Sequence, residues 1–347
     1  MTALSGHEPQ IKISIPAAAS RLLGALRRAG FEAYVVGGCV RDSLLGRTPG
    51  DWDICTSARP EQVRTVFSAY RQILTGEKHG TVAVIVGGTP YEITTYRVDG
   101  QYHDSRHPDA VQFVPQVQPD LARRDFTINA MAYAPGEGLI DLYGGRSDLH
   151  ACLMRCVGDP EERFAEDALR ILRAVRLAAQ LDFALEKATE RAALDMRQSI
   201  QNISAERIYT ELDKLLAAPA AGKVLSRYGR ILAGAVPEIE PCIGCTQPGR
   251  WHCYDVWQHT AVAVELAWTI KMPAFCGGVF FCMIWPSRNA APSARTARRI
   301  SPATTRPEVK WRAASCCGSR RLLILWKAPA RWLLSTMVPC PAMMPAS

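Results

Sequence analysis

A chain of 347 residues, 48% of them hydrophobic, is long enough for two or three domains with real cores, and it shows no internal repeat. It has no charged-then-apolar leader and no apolar run of the ~18 residues needed for a membrane span, and its twelve cysteines lack disulfide-framework spacing, so a reducing, cytoplasmic setting with no membrane partner is expected. The net charge of +8 does not by itself argue for nucleic acid: residues 268–347 hold twelve Lys/Arg against one acid, Glu308, whereas residues 1–267 hold 29 basic against 32 acidic residues.

Residues 16–28 (PAAASRLLGALRR) read as a helix with Leu22, Leu23 and Leu26 on its apolar stripe and Gly30 closing it. An apolar strand through Tyr34, Val35 and Val36 runs into Gly37-Gly38, and a short helix is expected from Cys39 to Leu45. Two glycines before a helix allow close backbone approach to a ligand, and the free N–H groups of the helix start favour a phosphate. Arg41 adds a cation beside the same anion. Gly46 and Pro49-Gly50 mark a turn, after which Asp51-Trp52-Asp53 opens a strand. Strand residues i and i+2 share a face, so Asp51 and Asp53 point the same way, and their repulsion asks for a cation. Mg²⁺, with oxygen ligands and a habit of bridging carboxylates to substrate phosphates, suits them. A phosphate-cradling turn followed by this D-x-D strand describes transfer of a nucleotide from an NTP. Taken alone, the glycines would equally be a tight turn and the aspartates a solvated edge.

Pro60 starts a further helix, and residues 79–100 form two alternating runs joined at Gly87-Gly88-Thr89, a hairpin signal. Its second strand puts Glu92 and Thr94 on one face, where Glu92 is either a third metal-site carboxylate or a solvated side chain. Residues 120–132 (DLARRDFTINAMA) place Arg123 and Arg124 just before a helix expected near Thr127. Such a pair can hold triphosphate oxygens bidentately, or be a surface pair with Asp125 as a helix-start acid. Asp141 to Leu149 reads as a structural turn.

Residues 159–183 carry the pattern of one long helix, with Ala168, Leu172, Val175 and Ala179 as its apolar seam. Asp167, Arg170 and Arg173 share another flank, and Arg176 continues the row. These charges form either a solvated ion-pair ladder or, through an Asp acceptor and an Arg donor fork, a reader of a base edge. Residues 204–216 (SAERIYTELDKLL) read as a helix with Ser204 as its N-cap. Cys242, Cys245, His252 and Cys253 are of zinc-ligand type, but the loop and the lack of a second half favour incidental cysteines.

The segments GGCVRDSLLG…GDWDI, DLARRDFTINAMA, Glu166-Asp167-x-x-Arg170 and SAERIYTELDKLL, in this order, resemble the motifs of the class II tRNA nucleotidyltransferase (CCA-adding) and poly(A) polymerase family over about the first three quarters of the chain. The resemblance implies an α+β fold: a nucleotidyltransferase (polymerase β-like) head with a mixed sheet over residues 1–150, a helical neck with the nucleobase motif over 151–220, and the start of a helical body over 221–267. It implies that Asp51 and Asp53 hold Mg²⁺ and that Gly37, Gly38, Arg41, Arg123 and Arg124 hold the triphosphate. Asp167 and Arg170 would select CTP and then ATP, with Arg173 and Arg176 flanking. The substrate would be a tRNA 3′ end, with no obligate protein partner. The alternatives are AMP addition only, or a non-catalytic RNA-binding remnant. Residues 102–114 resemble the family's flexible loop, with Arg106 of unfixed role. Residues 252–260 (HCYDVWQHT) resemble the opening of an HD phosphohydrolase domain, with His259 as its first ligand, yet no histidine follows His259.

The tail from residue 268 to 347 loses helical periodicity and acids and gains Pro, Arg, Ser, Cys and Trp. Shifting the reading frame by one base turns Met283-Ile284 into Asp and Trp285-Pro286 into Ala of necessity, and permits His, Leu, Lys, Pro and Glu around them. Around residues 299–304 the same shift permits HF-x-GH. The tail therefore reads as out of frame, and by composition as disordered.

Overall fold

The computed structural model describes residues 11–100, 111–246 and 253–271. Arg106, His252 and the out-of-frame reading of the tail lie outside these residues.

The head begins with α1 (Ala17–Arg28), whose Leu22, Leu23 and Leu26 are buried and whose last-turn Arg27 and Arg28 complement the helix dipole. Gly30, at φ +87°, ends it in the left-handed region, and Phe31 N–H reaches back to Leu26 O. There follow β1 (Ala33–Val36), α2 (Gly38–Leu44), β2 (Asp53–Thr56), α3 (Pro60–Val66), β3 (Arg71–Ile73), β4 (Thr81–Val86) and β5 (Thr89–Thr95). Then come β6 (Arg97–Asp99), β7 (Val111–Phe113), α4 (Val117–Ala122), β8 (Met131–Ala134), β9 (Gly138–Asp141) and α5 (Gly145–His150).

Seven of these strands form one mixed sheet in the order β3-β4-β5-β2-β1-β8-β9. Only the β2–β5 pair is parallel, with Ile54 opposite Ile93. The hairpin between β4 and β5 turns on Gly87 and Gly88, both at positive φ, as a two-residue turn matched to strand twist requires. The β1–β2 register sets Val36 opposite Asp53, so the chain leaves β1 into its glycine turn beside the residue where β2 starts.

The helix expected at Thr127 is instead a single 3₁₀ turn, Thr127–Asn129, followed by β8. The alanine-rich MAYA segment pairs with both β1 and β9 and is buried at all four positions, so sheet position overrides helix propensity. The turn is gripped from α5: a β-carbon on Gly145 would stand 2.3 Å from Thr127 O, and Thr127 Oγ1 donates to the buried Asp148 at 2.6 Å.

After α5 come β10 (Leu153–Met154) and a mainly helical region, the neck below, with α6 (Pro160–Glu166), α7 (Leu169–Leu181), β11 (Ala184–Leu185), α8 (Lys187–Asp195), α9 (Ala205–Leu216), α10 (Ala221–Leu232) and α11 (Val256–Thr269). The single long helix expected over residues 159–183 is thus two. Asp167 breaks it with extended backbone (φ −143°, ψ 104°), and its carboxylate accepts from Leu169 N–H at 3.0 Å, a local bond that competes with helix continuation. Ser204 occupies the N-cap position of α9, but no side-chain cap bond is made there.

The α10–α11 contact depends on Gly229, where a β-carbon would lie 2.2 Å from Nε1 of the buried Trp257, which itself donates to Leu225 O. Gly229→Ala is expected to cost about 1–3 kcal/mol by overpacking and to lower the melting temperature. An unchanged melting temperature would show that α11 is not docked this way. Among the described residues no helix is long and apolar enough to cross a membrane.

Candidate active site

The glycine turn requires glycine. Gly37 lies at φ +81°, and a β-carbon there would be 3.1 Å from Arg124 Nη1. Gly37→Ala is expected to strain the backbone and push Arg124 away, lowering the melting temperature; an unchanged melting temperature would contradict this. Arg41 lies over the same turn, its Nη2 3.6 Å from the position of a Gly38 β-carbon. Its guanidinium is already engaged, with Asp42 at 2.8 and 3.0 Å and with Asn129 Oδ1 at 2.7 Å.

Asp51 lies before β2, which begins at Asp53, so the shared-strand argument holds for Asp53 and not for Asp51. The two carboxylates are nonetheless electrostatic neighbours. Burial first, then Asp51 and Glu92, push the Asp53 carboxyl up to about 6, and Arg124 opposes the shift. The parallel β2–β5 register brings Glu92 level with Asp53, which local sequence could not reveal. Among the described residues no three carboxylate, His or Cys groups close into a metal-binding set. Three mutually repelling oxygen donors, one held reluctant to ionise, still fit a hard divalent cation.

Arg123 and Arg124 share one anchor. Asp120, on α4, has no exposed surface and accepts from Arg123 Nε at 3.0 Å, Arg123 Nη2 at 2.8 Å and Arg124 Nη2 at 3.3 Å. The arginines hold its carboxyl below the usual carboxylate range against the burial that would raise it.

The charged row on α6 and α7 is not a solvated ladder, because each member reaches another element or caps its own. Asp167 receives Arg207 of α9 at 3.1 Å. Arg170 donates to Glu166 at 2.5 Å and, across the junction with the head, to Arg123 O at 3.1 Å. Arg173 donates through Nε and Nη2 to Asp125 at 2.9 and 2.6 Å. Arg176 pairs with the buried Glu211 at 2.5 Å and with Gln180 at 2.7 Å.

Asp125 is therefore no helix-start acid. It is a buried tether whose other oxygen accepts from Asn129 Nδ2 at 3.1 Å, with its carboxyl held down to about 2, Arg173 and Asn129 outweighing burial. Glu92, Asp120, Asn129 and Arg207 are the residues that motif reading left unassigned. Cys242 is buried with its thiol donating to Glu238 O at 3.3 Å, while Cys245 and Cys253 are exposed.

A mixed sheet that sets a glycine turn beside a carboxylate group, followed by a helical neck, defines a nucleotidyltransferase-type head. Residues 33–155 match the poly(A) polymerase head domain, and residues 182–240 match the probable RNA- and SrmB-binding site of polymerase A. The CCA-adding enzyme of Leuconostoc mesenteroides is 47% identical over 207 residues, which are 60% of this chain and 51% of that one. The CCA-adding enzyme of Lactobacillus helveticus is 51% identical over 198 residues, 57% of this chain and 49% of that one. Among solved structures, the Bacillus stearothermophilus CCA-adding enzyme in complex with CTP superposes with a TM-score of 0.58 at 35% identity, covering 79% of this chain and 71% of the other. A CCA-adding enzyme with ATP gives a TM-score of 0.51 at 27% identity, covering 67% and 53%. The chain belongs to the family of CCA-adding enzymes and poly(A) polymerases. It spans about half the length of the curated relatives it matches.

Proposed function

We propose that this chain adds CMP and AMP from CTP and ATP to the 3′ end of tRNA, releasing pyrophosphate. The observation that carries the reading is the β1–β2 register, which puts the Gly37-Gly38 turn beside Asp53, with Arg124 next to both. The backbone of the turn and Arg124 hold the phosphates, Arg41 and Arg123 support them, and Asp51 and Asp53, with Glu92 adjacent, would hold Mg²⁺. When bound, the ion supplies charge neutralisation and Lewis acidity toward the phosphates and the RNA 3′-hydroxyl. The protein's own part is to orient the triphosphate and to hold Asp53 close to Asp51 and Glu92, where a bound cation would offset their repulsion.

Base choice falls to Asp167 and Arg170, flanked by Arg173 and Arg176. In this arrangement Arg207 and Glu166 occupy the base-reading pair. A nucleobase that matches Asp167 as acceptor and Arg170 as donor would take over those contacts, and a mismatched base would not repay their loss. Intact motifs across the glycine turn, the arginine pair and the α6–α7 junction support CCA addition over a non-catalytic role. Asp167→Ala is expected to blur the CTP/ATP preference by about 10–100-fold, the ~1–3 kcal/mol of one base-edge contact, with a smaller change in triphosphate affinity. The test is kcat/KM for each nucleotide on tRNA ending before and after the two cytidines. Unchanged preference with a lower melting temperature would assign these residues to structure alone.

A further inference from the structure

Asp120 is a buried charge whose surroundings divide two neighbouring arginines into different tasks. A carboxylate taken fully out of water is tolerated only when paired and hydrogen-bonded, and this one accepts from Arg123, Arg124 and the Arg97 backbone N–H at 3.4 Å. The two guanidinium groups are held differently. Arg123 gives Nε and Nη2 to the carboxylate, and its backbone carbonyl is held by Arg170. Arg124 gives only Nη2. Its Nη1 stands 3.1 Å from the place of a Gly37 β-carbon, and its Nε is buried with no hydrogen-bond partner among the described residues. It is also the arginine that offsets the negative charge on Asp53.

We infer that Asp120 is a positioning residue that fixes Arg124, and not Arg123, as the anion-binding arginine of the glycine turn, the anion being the phosphate chain of a nucleoside triphosphate. The inference rests on the reading of that turn as the triphosphate site. Asp120 serves it in two ways. It lets two adjacent like charges sit side by side by neutralising one of them. It also clamps one edge of Arg124, so that the edge facing Gly37 is aligned before the ligand arrives, which lessens the ordering cost of binding.

The test is calorimetric binding of ATP, with adenosine as a probe lacking phosphates, to the full chain and its variants. Asp120→Asn keeps the shape and removes the charge. It is expected to weaken ATP by about tenfold or more, to raise KM more than it lowers kcat, and to leave adenosine binding as it was. In an Arg124→Gln background the same change should add nothing, since Asp120 acts through Arg124. If Asp120→Asn does not fold, Arg123→Gln and Arg124→Gln carry the comparison. The larger loss of ATP affinity belongs to Arg124→Gln, and equal or reversed losses overturn the assignment. Neither arginine affecting ATP would instead sink the triphosphate reading of the turn. An Arg124 effect beside a folded Asp120→Asn protein that binds ATP normally overturns the positioning role alone.

Discussion

Replacing Asp53 with Ala is expected to abolish nucleotide incorporation while leaving the fold as stable as before, or more so. The carboxylate sits at the start of a central strand, half-buried, with Asp51 and Glu92 raising its proton affinity. An acid whose folded pKa is raised is favoured in the folded state only while protonated. That contribution is complete below about pH 4, the unfolded value, and is gone once the pH has passed about 6. Near pH 7–8, without a divalent cation, the ionised group thus costs the fold on the order of 2–3 kcal/mol, and Asp53→Ala or Asp53→Asn removes that cost. The variants should melt at or above the wild-type temperature near neutrality, with the advantage fading as the pH falls toward 4. A cation bound among these carboxylates, as proposed, would repay that cost. Binding of Mg²⁺ to the wild type should accordingly weaken as the pH drops below about 6, as protons compete for Asp53. Turnover retained by Asp53→Ala with Mg²⁺ would remove Asp53 from the site.

Arg173→Ala is expected to have the largest effect on stability. It strips the buried Asp125 of its strongest partner and leaves a charge in the junction between head and neck. Loss of one member of a buried pair costs about 3–5 kcal/mol. The lower end applies here because Arg173 itself is 37% exposed and solvent screens part of the interaction. The linkage runs opposite to that of Asp53. Asp125 is held down to about 2, so its contribution is fully present above about pH 4 and is lost as the pH falls toward 2. The deficit of Arg173→Ala should therefore be constant across about pH 5–8 and shrink only in strong acid. A deficit under about 1 kcal/mol near neutrality would mean the pair is screened like an ordinary surface ion pair.

The parts legible in the sequence are those fixed by neighbours along the chain. The Gly30 stop, the Gly37-Gly38 turn and the Gly87-Gly88 hairpin follow from backbone chemistry over a few residues, and each stands where it was expected. Asp51 and Asp53 stand out through their spacing, and they are electrostatic neighbours, although only Asp53 is in the strand. What stayed hidden depends on pairing across long separations. Glu92, open in the sequence between a metal-site and a solvated role, becomes a neighbour of Asp53 through the parallel β2–β5 pairing. Asp125 reads locally as a helix start until α7 docks Arg173 against it, 48 residues away. The MAYA strand and the break at Asp167 were missed because alanine content and periodicity suit a helix, while sheet pairing and one side-chain bond decide otherwise.

The most direct measurement supplies the purified chain with tRNA lacking its last three nucleotides, together with CTP, ATP and Mg²⁺, and resolves the products by single nucleotides. The expected result is stepwise addition of C, C and A followed by arrest, with no product from the Asp53→Ala protein. Long A-only extension would place the chain with the poly(A)-adding members of its family. No extension by a folded protein that still binds nucleotide would contradict the proposed activity.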